Sequence, residues 1–123
     1  MKIEHADYRY GEIKIRVENK DDLWYLSQIV DIGDSCSGRT FRKIKVGSDE
    51  NAKTIKKAAF LEICVEKIEF HNFSGNLRLS GKILVGTEEI PQGQYHTFDV
   101  EEDSVISLKK EKFYKYQIEK IKE

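Results

Sequence analysis

The sequence predicts a mainly β domain, built as a small barrel of short strands with one short α-helix at about residues 20–30. Three observations support this prediction. Apolar and polar residues alternate along most of the chain, which is the period of a half-buried strand. Glycine-containing turns separate the alternating runs at short intervals, as is typical of closed or sandwiched β structures. A single segment places its apolar residues at helical spacing instead.

The strand predictions follow from runs with a period of two. Ile13, Ile15 and Val17 alternate with charged residues and predict a half-buried strand over 12–17. Leucine, isoleucine and valine alternate in the same way in two later runs. The remaining predicted strands cover residues 2–5, 35–46, 61–70, 77–83, 95–100, 104–109 and 113–118.

Two of these strands carry signs of irregularity. Apolar residues occupy odd-numbered positions up to Val65 and even-numbered positions from Ile68 onward. The strand must therefore bulge or change sheets near residues 66 and 67. Gly81 occupies an apolar position of the next strand. A glycine there predicts a sharp bend or a close approach of two backbones.

The helix prediction depends on an apolar stripe and on its end signals. Asn19 is the expected N-cap, and two aspartates follow in the first turn, where the helix dipole favours acids. Gly33 is a stop signal shortly after the last turn. Trp24 lies beside the stripe, so we expect it in the core. The stripe itself consists of Leu23, Leu26 and Val30.

Composition favours one soluble globular domain spanning residues 1–123. Hydrophobic residues make up 39% of the chain and charged residues 35%. A chain of this length can bury a core without a metal or a disulfide. No apolar run approaches the roughly 20 residues that cross a bilayer, and no signal peptide is evident. We therefore expect a cytoplasmic monomer without a membrane partner, in which Cys36 and Cys64 are reduced thiols.

No catalytic or metal-binding motif emerges from the residues. The three histidines, His5, His71 and His96, are far apart and lack metal-ligand spacing. Neither cysteine completes a zinc pattern with them. A glycine-rich phosphate loop is also missing. The sequence therefore predicts no cofactor and no metal site, and it leaves catalytic residues unassigned.

The most informative feature is a basic segment at residues 39–57. It holds seven lysines and arginines against two acids, a formal charge of +5, whereas the rest of the chain carries −6. Such a patch attracts polyanions, phosphate backbones above all. The small polar residues 47–53 predict a flexible tip that becomes ordered on contact with RNA. A lysine-rich hairpin that protects a sheet edge is the alternative. The predicted RNA-binding residues are Arg39, Arg42, Lys43, Lys45, Lys53, Lys56 and Lys57.

Alternate residues of a strand point to opposite faces, which divides the side chains in the first half of this segment between two faces. Arg39, Lys43 and Lys45 share one face with Phe41, and Arg42 lies on the other face with apolar neighbours. We expect Phe41 to pack against the helix, because isolated aromatics are usually core residues. The alternative is that its ring stacks on an unpaired base while the neighbouring cations hold phosphates.

An acidic stretch at residues 88–103 offers a different kind of surface. It contains six acids and no lysine or arginine. This charge supports an alternative hypothesis, in which the domain is a protein-interaction barrel that uses the acidic stretch.

Several motifs together resemble the N-terminal domain of the pelota family. The resemblance covers essentially the whole chain in order, without a large gap. Its most specific parts are D-D-L-W at 21–24, I-G-D at 32–34, T-F-R-K at 40–43 and Q-Y-H-T-F-D-V-E at 94–101.

This resemblance implies a fold and a function. The family's first domain is a small β-barrel likened to the Sm fold, and its basic loop, matching residues 42–57 here, points towards mRNA and ribosomal RNA. Pelota proteins act in translation quality control and no-go mRNA decay. They enter the decoding site of stalled ribosomes and release them with an elongation-factor-like GTPase and a ribosome-splitting ATPase. Those two contacts belong to central and C-terminal domains, which we expect to be absent from this chain.

The resemblance also raises an enzymatic alternative. An endoribonuclease activity has been ascribed to archaeal members and placed in this domain. Such an activity would imply a divalent metal cation as cofactor. The sequence itself names no base, nucleophile or ligand set for it, so any cleavage of RNA is an implication of the resemblance alone.

Overall fold

The computed structural model describes residues 1–47 and 53–122. Within them the chain forms seven strands and two helices. In chain order these are β1 (Lys2–Asp7), β2 (Glu12–Arg16), α1 (Lys20–Ile29), β3 (Ser35–Val46), β4 (Lys53–His71), β5 (Asn76–Val85), β6 (Tyr95–Val100), β7 (Val105–Lys109) and α2 (Lys115–Lys122).

The strands form one antiparallel sheet in the order β1-β2-β7-β3-β4-β5-β6. The predicted mainly β class is therefore confirmed. The sheet is not closed by backbone pairing, because β1 and β6 are its two edges among the described residues. Strand β4 is long enough to pair with β3 near its start and with β5 near its end.

The core lies between the sheet and α1. Leu23 and Leu26 of α1 are buried against apolar side chains from the strands. The alternating pattern that predicted the strands places those side chains on one face. The fully buried residues of the strands include Ile13, Ile15, Cys36, Leu61, Ile63, Val65, Leu77, Leu79 and Leu108.

Helix α1 begins as the sequence predicts. The Asn19 side chain accepts a hydrogen bond from the Asp22 amide (3.1 Å), and the Asp22 carboxylate accepts one from the Asn19 amide (3.2 Å). This capping box satisfies two backbone donors at the start of the helix. The expectation that Trp24 lies in the core is wrong: 44% of it is exposed, and Lys120 lies 5.2 Å from its ring centroid. Its position beside the apolar stripe turns it towards α2.

The predicted irregularities of β4 and β5 are confirmed. The register between these strands shifts between Val65 and Lys67, which marks a bulge. Gly81 pairs with Val65 just before the shift. A Cβ atom at Gly81 would lie 1.7 Å from the carbonyl oxygen of Cys64. The glycine is therefore required by a close approach of two backbones.

The prediction of a strand at 113–118 is wrong, and the prediction of a single helix is wrong with it. Residues 115–122 form α2. The buried positions Phe113, Gln117 and Ile121 recur every four residues, which is a helical period. Tyr114 and Tyr116 are exposed and stack on each other.

A buried polar network holds α2 against the end of α1. Gln117 is fully buried, and its amide nitrogen donates to the Ile29 carbonyl (3.1 Å) and to the Asp31 carboxylate (2.8 Å). The ammonium of Lys110 is also buried and pairs with Asp31 (2.8 Å) and Asp34. These contacts satisfy polar groups that burial would otherwise penalise.

Both cysteines are free thiols. Cys36 is buried, and burial raises its pKa to about 12, so the thiol stays protonated and unreactive. Cys36 pairs with Ile63, whereas Cys64 pairs with Ser35, so the two side chains point to opposite faces of adjacent strands.

Within the described residues, neither helix combines the length and the apolar character needed to cross a bilayer.

Candidate nucleic-acid interface

The basic segment forms a two-stranded ribbon that extends beyond the sheet. Strand β3 pairs with β7 only through residues 35–38, and β4 pairs with β5 only from residue 62 onward. Residues 39–46 and 53–60 therefore pair only with each other in the described part of the chain.

The cross-strand register decides which side chains share a face, because directly paired residues point the same way. We call one side the phenylalanine face. It consists of Arg39, Phe41, Lys43, Lys45, Thr54, Lys56, Ala58 and Phe60. We call the other side the isoleucine face. It consists of Thr40, Arg42, Ile44, Val46, Lys53, Ile55, Lys57 and Ala59.

The seven predicted RNA-binding residues are divided between these faces. The predicted division of the β3 side chains, with Arg42 on the opposite face from the other three cations, is confirmed. Strand β4 adds one lysine to the first face and two to the second. Arg39, Lys43, Lys45 and Lys56 thus gather on the phenylalanine face, and Arg42, Lys53 and Lys57 on the isoleucine face.

Among the described residues, the cations of the phenylalanine face have no carboxylate within 4.0 Å of their charged groups. The ammonium of Lys56 lies 4.9 Å from the ring centroid of Phe41. Phe41 is 60% exposed, so the expectation that it packs against the helix is wrong. The ribbon carries it away from α1.

On the isoleucine face, two cations contact the protein itself. The Arg42 guanidinium donates to the Tyr95 carbonyl (2.9 Å) and to the Gln94 side chain (2.8 Å). The Lys57 ammonium pairs with the Glu89 carboxylate at 2.5 Å. These contacts join the ribbon to the start of β6 and to the segment before it. They reduce the availability of both side chains to a polyanion.

A third contact fixes the base of the ribbon. The Thr40 hydroxyl lies 2.9 Å from Nε2 of His96 in β6. The His96 ring also packs edge-on against Phe98, 5.3 Å between centroids. Burial lowers the pKa of His96, and the nearby charge of Arg42 lowers it further. The histidine is therefore a neutral structural residue near pH 7.

The predicted flexible tip lies largely outside the described residues. Its residues 48–52 include both acids of the basic segment, Asp49 and Glu50. The structure describes the flanks of the tip, where Val46 pairs with Lys53. The flexibility of the tip stays a prediction.

The acids of the 88–103 stretch are partly engaged by the protein. Glu89 pairs with Lys57, and Asp99 pairs with Arg78 at 2.9 Å. Intramolecular cations therefore compete with any partner for two of the six acids. The protein-interaction alternative stays untested.

The predicted absence of metal ligands and the nuclease alternative are also untested. In residues 1–47 and 53–122, no three His, Cys, Asp or Glu side chains group in a way that could hold a metal ion.

Sequence reasoning missed one aromatic residue of the phenylalanine face. Phe60 is 59% exposed and pairs directly with Arg39. It stands out of phase with the buried Leu61, Ile63 and Val65, which was a signal that it faces away from the core. Its neighbours across the ribbon depend on the hairpin register, and the sequence does not determine that register.

Comparisons with known proteins place this geometry in a family. The sequence model described as "Pelota N-terminal domain" matches residues 1–123. The "Protein pelota homolog" of Methanobrevibacter smithii is 40% identical over 98% of the chain, and that of Pyrococcus horikoshii is 41% identical over all of it. The chain spans about a third of the length of these relatives, 35% in both cases.

Solved structures agree with the sequence comparisons. An archaeal Pelota described as ribosome-bound together with ABCE1 superposes with a TM-score of 0.81 at 34% identity, over 99% of this chain and 35% of that one. The crystal structure of Archaeoglobus fulgidus Pelota gives a TM-score of 0.73 at 32% identity, over 99% and 32%.

Proposed function

The chain belongs to the family of pelota N-terminal domains, and on that premise we propose that it is the RNA-binding domain of a ribosome-rescue factor. In this proposal the domain occupies the decoding site and the mRNA channel of a stalled ribosome. The ribbon of β3 and β4 enters the channel, and its cations contact mRNA and ribosomal RNA. Release of the ribosome and no-go decay of the mRNA follow.

One observation carries this proposal. Four cations share the phenylalanine face without a carboxylate partner among the described residues. Cations that the protein does not neutralise hold mobile counterions, and an RNA phosphate backbone releases those counterions when it binds. A ribbon that extends beyond the sheet can place these charges in a groove too narrow for the whole domain. The match to an archaeal Pelota described as ribosome-bound supports the same placement.

The proposal extends to partners that the chain would meet as part of a longer protein. The matched relatives are about three times as long as this chain, which covers 35% of them. We propose that the elongation-factor-like GTPase and the ribosome-splitting ATPase bind other domains of that protein. The present domain then contributes recognition of the stalled state through shape and charge.

The test replaces Lys43, Lys45 and Lys56 together by glutamine and measures binding of the chain to ribosomes stalled on truncated mRNA. All three are exposed and lack ion pairs among the described residues, so the fold should survive. We expect weaker binding and a shallower dependence on salt. The slope should fall by roughly 0.7 for each lost phosphate contact.

The matched control replaces Lys2, Lys112 and Lys115, three lysines outside the ribbon that are exposed and have no ion pair among the described residues, so that the net charge changes equally. This control should bind ribosomes like the unmodified chain. Equal loss in both variants would reduce the effect to net charge and would contradict the proposed role of the ribbon. Arg42 is left intact, because its contacts with residues 94 and 95 mix a structural role with any role in binding.

A further inference from the structure

Two phenylalanine rings stand exposed on the same face of the ribbon. Phe41 is 60% exposed and Phe60 is 59% exposed. Phe60 pairs with Arg39, and Phe41 pairs with Ala58, so the two rings are diagonal neighbours. The Cα atoms of diagonal neighbours in an antiparallel pair of strands lie roughly 7–8 Å apart. A single extended strand of nucleic acid can reach both rings at once.

Two clefts begin at these rings and meet at Arg39. The first has a volume of about 280 Å³ and runs from Phe41 and Lys56 towards β6 and β7. The second has a volume of about 620 Å³ and runs from Phe60 towards Lys14 of β2. Both are lined by Arg39 and by residues 104 and 105. The two rings therefore line neighbouring clefts that share one cation, Arg39.

The charges around these clefts are unevenly distributed. Arg39, Lys56 and Lys14 line the clefts and have no carboxylate within 4.0 Å among the described residues. The second cleft also holds Asp103, and Glu4, which pairs with Arg16 at 3.0 Å. Asp99 and Glu101 lie on the β6 side of the first cleft, where Arg78 already pairs with Asp99. Phosphates are therefore favoured on the ribbon side. The carboxylates opposite are suited to accept hydrogen bonds from amino groups of bases.

We propose that the phenylalanine face is a stacking site for two unpaired bases, in which Phe41 and Phe60 each hold one base and Arg39 holds the phosphate between them. This inference rests on the proposed function and adds the chemistry of recognition. Bases stack on aromatic side chains whatever their sequence, because every base has a π face. The site thus selects single-stranded over paired RNA. A duplex keeps its bases stacked on each other and cannot offer them to the rings.

The test measures binding of a short single-stranded oligoadenylate that contains 2-aminopurine, whose fluorescence reports stacking. The chain with Phe41→Ala and Phe60→Ala together should bind this probe about 30-fold more weakly or worse, because stacking contributes about 1–3 kcal/mol per base. Its affinity for an oligomer of the same length without bases should not change. The variant with Phe41→Tyr and Phe60→Tyr should retain both the affinity and the fluorescence change.

Phe73→Ala is the matched control, because this ring is fully exposed and lies outside both clefts. It should leave the affinity for the probe unchanged. Far-UV circular dichroism of the double alanine variant will show whether its fold is kept. Both rings are more than half exposed, so we expect no change.

The outcomes separate this inference from the proposed function. If the unmodified chain binds ribosomes and the base-free oligomer, and the double alanine variant binds the fluorescent probe equally well, the stacking site is wrong and the proposed function stands. The two rings would then be a surface for a protein partner. If the unmodified chain binds neither ribosomes nor RNA, both proposals fail together.

Discussion

The Thr40 hydroxyl lies 2.9 Å from Nε2 of His96, although the two residues are 56 positions apart and their strands are not neighbours in the sheet. Arg42, two residues further along β3, donates to the Tyr95 carbonyl next to His96. Side chains thus join the ribbon to β6 where no backbone pairing does so in the described residues. The direction in which the ribbon projects depends on these contacts.

The buried histidine predicts a dependence of stability on pH. Burial and Arg42 lower the pKa of His96, with Asp99 opposing them. A lowered pKa in the folded chain means that the unfolded chain binds the proton more readily. The contribution of the neutral His96 ring to stability is therefore full above about pH 6.5 and is lost as the pH falls. His96→Gln should remove that loss. Urea titrations between about pH 7 and pH 5 will measure it.

If the free energy of unfolding depends on pH in the same way for His96→Gln and for the unmodified chain, the His96 ring does not titrate as we infer.

The buried ion pairs of Lys110 predict a large loss of stability when the ammonium is removed. Lys110→Met would leave Asp31 and Asp34 without their cation, and Asp34 is itself buried. Breaking a buried pair from one side costs about 3–5 kcal/mol. Lys109→Met is the matched control, since Lys109 is half exposed and its nearest carboxylate is 3.8 Å away. Chemical denaturation should show a change below about 1 kcal/mol for the control; equal losses would contradict the prediction.

The close approach at Gly81 predicts that any side chain there is damaging. In Gly81→Ala the new methyl group would meet the backbone of Cys64, which cannot move without disrupting the pairing of β4 and β5. We expect a loss of about 3 kcal/mol, the upper end for overpacking. Gly33→Ala tests conformation without a clash, because no atom lies within 4 Å, and should cost about 1–2 kcal/mol for its positive φ. A smaller loss at Gly81 than at Gly33 would disprove the steric argument.

The pair between Lys57 and Glu89 predicts a gain in RNA binding when the acid is neutralised. Both side chains are nearly half exposed, so Glu89→Gln should change stability by less than about 1 kcal/mol. It would free Lys57 for a phosphate, and the salt dependence of ribosome binding should steepen by roughly 0.7. Glu88→Gln makes the same change of charge at a residue without an ion pair among the described residues. If both variants gain affinity equally, the effect is one of net charge.

The sequence predicted most of the fold because alternation and capping are local properties. The bulge near residues 66 and 67 was predictable from a change of parity within one strand. The C-terminal helix was missed: a strand was predicted over 113–118, where the structure has the start of α2. Its true signal, burial of Gln117 beside Ile29 and Asp31, depends on contacts between distant residues.

The sequence by itself determined that seven cations fall within one short segment and that three of them share a strand face with Phe41. Only the tertiary structure decided which of these cations stay available. The hairpin register brought Lys56 and Phe60 to the same face, and residues 89, 94 and 95 engaged Arg42 and Lys57. Register and ion pairing depend on residues far apart in the chain, and periodicity along one strand carries no information about either.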